Sequence, residues 1–150
     1  MFEVNSMTDV HPFLALFRGD FYGMLRWEQL DTLWGVMRQD AQKHWHIYHV
    51  GDAPPEGPID HPKLLEFITH IDELLHKEHQ EEYCGVVYVD NPKDPAFVKV
   101  FDPNNLGVSC GFSDNPPLPG WILSLQTPID LPEAIKPAKN RQRWWQKIFD

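Results

Sequence analysis

Asp72, His76, His79 and Cys84 are the residues whose types and spacing come nearest to chemistry in this chain. A carboxylate, two imidazoles and a thiolate are ligand types that zinc prefers. At 100° per residue, Asp72, His76 and His79 fall on one narrow edge of a helical wheel, with Cys84 shortly after. The same three side chains are candidate acid–base groups. Against both readings, Asp72 and His76 form an ordinary i, i+4 helix pair, and a histidine near a helix C-terminus is favoured by the helix dipole. No HExxH, CxxC or CxxC…HxxxH spacing supports a metal site. The expectation is therefore no stoichiometric zinc and no cofactor. The quartet is kept as the alternative metal set, and His76, His79 and Asp72 as candidate catalytic residues.

Two further places could carry chemistry. His44 and His46 alternate on one face of a strand pattern, as solvated strand faces also show. Cys110, beside Gly111 with Ser109 and Ser113 close by, is a weak candidate nucleophile. The chain has no GxSxG, no GxxxxGK[ST] and no GxGxxG, so neither a nucleophile elbow nor a standard phosphate cradle is written in it. Nothing here resembles a family specifically enough to transfer a function.

The elements that must position these groups follow from periodicity. Residues 24–41 place Trp27, Leu30, Leu33, Trp34, Met37 and Ala41 at spacings of three and four, one apolar stripe of a helix. Gly35 weakens that helix by about 1 kcal/mol relative to Ala and predicts a bulky neighbour packed over it. Residues 61–79 form the stronger helix. Pro62 suits the first turn, Asp60 or His61 the cap, and Leu64, Leu65, Phe67, Ile68, Ile71, Leu74 and Leu75 the buried face. Glu78, Glu81 and Glu82 oppose the dipole, so the helix frays by Gln80.

Residues 44–50 read as a strand. So do Val86–Asp90, Phe97–Phe101 and Leu106–Cys110, separated by Asp/Asn/Pro turns. Linkers this short join antiparallel neighbours, which predicts a meander in chain order. Trp121–Leu125 suits one more strand, after a proline-rich connector at 112–120. Phe13–Phe17 is apolar enough to pack on the body. The fold class that results is α+β, in two layers. Two main helices cover one face of an antiparallel sheet of four to five strands. Residues 1–135 make a single domain and 136–150 a tail.

Composition bounds the function. Two cysteines expected at opposite ends of their strands imply free thiols. No apolar run of 18 residues and no signal-like N-terminus are present, which favours the cytoplasm. The net charge of −9 argues against nucleic acid. It is unevenly spread: residues 1–134 hold 8 Lys and Arg against 21 Asp and Glu, net −13, while 135–150 hold 5 against 1, net +4. In that tail Trp144, Trp145 and Ile148 make an apolar patch flanked by Arg143 and Lys147, the expected partner-binding residues on a short docked helix. Its target is the acidic body, a protein partner or a second copy; a peripheral membrane contact is the outer limit. The reading that results is a small, acidic, cytoplasmic interaction protein that binds a protein partner without catalysis. The alternative is a small metal-binding or hydrolase-like enzyme using the histidines of the second helix.

Overall fold

A computed structural model describes residues 11–105 and 118–135. In chain order these hold α1 (Pro12–Phe17), β1 (Tyr22–Gly23), α2 (Trp27–Gln39), β2 (His46–His49) and α3 (His61–Glu78). β3 (Val87–Val89), β4 (Phe97–Val100), a 3-10 turn (Pro103–Asn105), β5 (Trp121–Ser124) and α4 (Leu131–Ile135) complete them. The five strands form one antiparallel sheet in the order β1-β3-β4-β5-β2. An α+β class is thus what the described residues adopt.

Local chemistry explains the elements. Asp60 caps α3 by accepting the Lys63 backbone N–H at 3.0 Å, with Pro62 in the first turn. Gln29 reaches back from the first turn of α2 to accept the Arg26 N–H at 2.9 Å. In the β3–β4 hairpin, Asp90 Oδ1 accepts from the backbone of Ala96 and Phe97 at 3.0 and 3.1 Å. That pins the register of Val87 against Val100.

One face of the sheet presents Val87, Val89, Val98, Val100 and Leu123 to α2 and α3, whose Leu30, Leu33, Trp34, Met37, Leu64, Ile68, Ile71 and Leu75 complete that core. The second face is not left to solvent. Tyr48, Phe97 and Ile122 are fully buried there beneath Phe13 of α1 and Leu131 of α4. This corrects the two-layer expectation. The apolar alternation of β2 and β5 needed a cover on both faces, and the short N-terminal helix supplies part of it.

Three other expectations change. Phe97–Phe101 was expected to pair with Leu106–Cys110, but β4 is flanked by β3 and β5, so both its edges are taken. The 106–110 segment itself lies outside the described residues. A Cβ at Gly35 would meet nothing within 4 Å, so no side chain of the described residues packs over it. Ala41 follows the end of α2 and is exposed.

Candidate functional site

Of the quartet, Asp72 and His76 stand 3.6 Å apart near the C-terminal end of α3, His79 shares with His76 a contact to the Trp27 ring at the start of α2, and Cys84 is buried within reach of the Asp72 charge. The chain then turns back through Tyr83, Cys84 and Gly85 to run beside Met24 and Leu25. Cys84 N–H donates to the Leu25 carbonyl at 2.8 Å and Gly85 N–H to the Met24 carbonyl at 3.0 Å. Gly85 has φ +71°, and a Cβ there would lie 3.2 Å from the Tyr83 ring, so glycine is needed twice over.

Asp72 and His76 have structural work. The buried Trp34 indole donates Nε1–H to Asp72 Oδ1 at 3.1 Å. The same carboxylate oxygen is 3.6 Å from His76 Nε2. The His76 ring stacks on Trp27, with centroids 4.0 Å apart and planes 26° from parallel. Trp27 donates Nε1–H to the Glu81 carbonyl at 3.0 Å. His79 leans on Trp27 at 6.3 Å and meets Tyr83 edge-on at 6.0 Å. Its Nε2 is buried and has no hydrogen-bond partner among the described residues.

Cys84 is fully buried, and burial pushes its thiol up, the nearby Asp72 charge adding to the rise against hydrogen bonds from Val86 and Val87. A protonated thiol is a poor nucleophile. Among the described residues no three His, Cys, Asp or Glu side chains are grouped to hold a metal ion. The arrangement instead offers a continuous aromatic surface of Trp27, His76, His79 and Tyr83 beside the carboxylates of Glu81 and Glu82.

Tyr22 of β1 is 61% exposed; Leu25, beside Cys84, is 60% exposed, and Tyr83, against His79, is 57% exposed. No protein-family model, no curated protein and no solved structure matches the chain. The surface must therefore be read from its own chemistry.

The remaining sequence candidates separate. His46 is buried on the sheet, its Nδ1 3.0 Å from the Ser124 carbonyl, whereas His44 precedes the strand and is exposed. They do not form a pair. Cys110 and the tail residues Arg143, Trp144, Trp145, Lys147 and Ile148 lie outside the described residues. No described helix is long and apolar enough to cross a membrane.

Lys99 was missed. It shares the second sheet face with Phe97, and its Nζ stands 4.2 Å from the ring centre of Phe17 and 3.9 Å from that of Phe21. Burial alone lowers it to about 8. The signal available was a lysine alternating with phenylalanines inside a strand pattern, but the covering rings come from a distant segment.

Proposed function

We propose that the chain is a non-catalytic interaction protein whose β1 edge binds a basic, aromatic-bearing segment of a partner protein. The observation that carries this reading is the exposure of Leu25 and Tyr83, held near one another by the Cys84 N–H bond to the Leu25 carbonyl, with Tyr83 joined through His79 to the Trp27–His76 stack. Extended segments add to sheet edges through main-chain hydrogen bonds, with side chains supplying specificity. Arg and Lys side chains suit the open faces of Trp and Tyr, and the exposed Glu81 and Glu82 give the matching charge. Apolar burial at about 1.5–3 kcal/mol per large side chain supplies the affinity. The carboxylates, at about 1 kcal/mol or less each, orient the segment. A cytoplasmic location belongs to the same proposal and is supported by the buried free thiol of Cys84.

A fluorescein-labelled peptide alternating Arg or Lys with Trp and Val, titrated into the full chain and followed by anisotropy, tests the reading. Binding should weaken at least about tenfold in Leu25→Ser/Tyr83→Ser and severalfold in Glu81→Lys/Glu82→Lys. Equal binding of a peptide with its basic residues replaced by Ser, or no loss in either variant, overturns it. Self-association of the chain that the Leu25→Ser/Tyr83→Ser change abolishes would overturn the choice of a foreign partner and put a second copy in its place.

A further inference from the structure

Lys99 sits on the central strand β4, paired with Tyr88 of β3 and Ile122 of β5, so its stem rises from the middle of the sheet. Phe17 and Phe21 stand over its amine, and both rings pack on Phe97, at 6.4 and 5.7 Å. Beyond them Tyr88 meets Phe101 edge-on. The amine is half-buried, and among the described residues no carboxylate forms an ion pair with it. Lys43 shows the contrast: its ammonium is held 2.6 Å from Asp94 and 2.8 Å from the Pro95 carbonyl. The charged or titratable groups on the elements around Lys99 are Arg18 and Asp20, on the segment carrying the two phenylalanines, and Tyr88 on β3; β5 brings none.

We propose that Lys99 is a covalent binding site for carbonyl compounds with an aromatic body, its ε-amine condensing with the carbonyl carbon to form an imine. The neutral nitrogen attacks the carbonyl carbon. The carbonyl oxygen departs as water with the two amine protons, and a C=N bond replaces C=O. No oxidant or reductant enters. Two phenyl faces and the edge of Phe97 favour an aryl group beside the new bond. The missing counter-charge leaves the neutral amine accessible, since burial without a partner disfavours the ammonium. The two ring faces act in the opposite sense by attracting the cation, and the pH midpoint of labelling measures the balance. With burial lowering the amine to about 8, about a quarter of it is neutral at pH 7.5, against about a thousandth of an ordinary lysine.

The test is labelling of the full chain with limiting benzaldehyde and cyanoborohydride, which reduces the imine to a stable secondary amine, followed by peptide mapping. Lys99 should carry the adduct ahead of Lys63, Lys77 and Lys93 at pH 7.5. Its labelling rate should rise with a midpoint near pH 8. Phe21→Ser should slow benzaldehyde severalfold relative to glyceraldehyde. Lys99→Arg, which keeps the charge and the ring contacts, should remove that adduct while the thermal melt stays in place. An unlabelled Lys99, a midpoint above pH 10, or equal rates with the aromatic and the polar aldehyde would each overturn the proposal.

Discussion

Trp34→Phe should lower stability by about 2.5 kcal/mol, and about half of that loss should disappear when Asp72 is already absent. The magnitude has two parts. The indole bond to Asp72 Oδ1, at 3.1 Å, is a hydrogen bond to a charged group. Such bonds contribute about 1.5–3 kcal/mol. The Asp72 side chain is 26% exposed, so water can reach it once the indole is gone, which places the bond at the lower end, about 1.5 kcal/mol. Trp34 is also fully buried, and the smaller ring leaves about 40 Å³ unfilled, worth about 1 kcal/mol. For a chain of this length the sum is a fall in Tm of about 5–10 °C. Urea unfolding followed by far-UV circular dichroism is the suitable assay, because tryptophan fluorescence changes with the substitution. A double-mutant cycle with Asp72→Ala should return a coupling of about 1–1.5 kcal/mol. A coupling below about 0.3 kcal/mol would show that the bond does not join α2 to α3, leaving only the cavity.

Tyr48→Phe should cost about 1–2 kcal/mol in urea unfolding, because the buried Tyr48 hydroxyl accepts the Leu131 N–H at 3.0 Å and its loss strands that donor at the start of α4. Lys99→Met should be more stable than the parent at pH 7 by about 1 kcal/mol, the modest figure allowing for solvent at a half-buried amine. Lys99 falls to about 8 on folding from 10.5, so the unfolded chain binds more protons between those values. The parent therefore gains stability as pH rises through that window, and the Met advantage should vanish by about pH 10.5; a pH-independent difference would refute this. Cys84 should resist a thiol reagent at pH 8 until urea unfolds the chain, while fast labelling of the native protein at Cys84 would contradict its burial. Truncation after Pro137 should lower Tm or change the oligomeric state if the basic tail docks on protein, and an unchanged melt of the same oligomer would remove that idea.

Periodicity carried the two long helices, because burial of one stripe repeats along residues that are close in sequence. Leu30, Leu33, Trp34 and Met37, and Leu64, Ile68, Ile71 and Leu75, are buried as the spacing requires. It also carried the β3–β4 hairpin, whose turn residues act on their own backbone. Strand order was harder. Nothing local to Phe97–Val100 says that its second neighbour is Trp121–Ser124, since that pairing is decided by complementary apolar faces across a long connection. The Asp72–His76–His79 edge was visible on a helical wheel. What engages it was not, because Trp27 and Trp34 lie on another helix and read equally well as core. Lys99 escaped notice for the same reason, its environment being built by Phe17 and Phe21 from outside the hairpin.

The strand order has a consequence for how the chain is made. Both outer strands, β1 and β2, come from the first fifty residues, and among the described residues β2 has β5 as its only strand neighbour, with His46 opposite Ser124. During synthesis β2 must wait for Trp121–Ser124 to emerge before any of its ladder can form. The alternating His46–Ile47–Tyr48–His49 segment is then a nascent strand without a mate for most of translation. Ladders of such long separation form slowly and leave edges open to wrong pairing. The capping of the second sheet face waits on the same event, because Leu131 reaches Tyr48 only after β5 is in place. A ribosome paused before residue 121 would therefore hold a chain whose β3–β4 hairpin and long helices can form, but whose sheet cannot yet close on its far side.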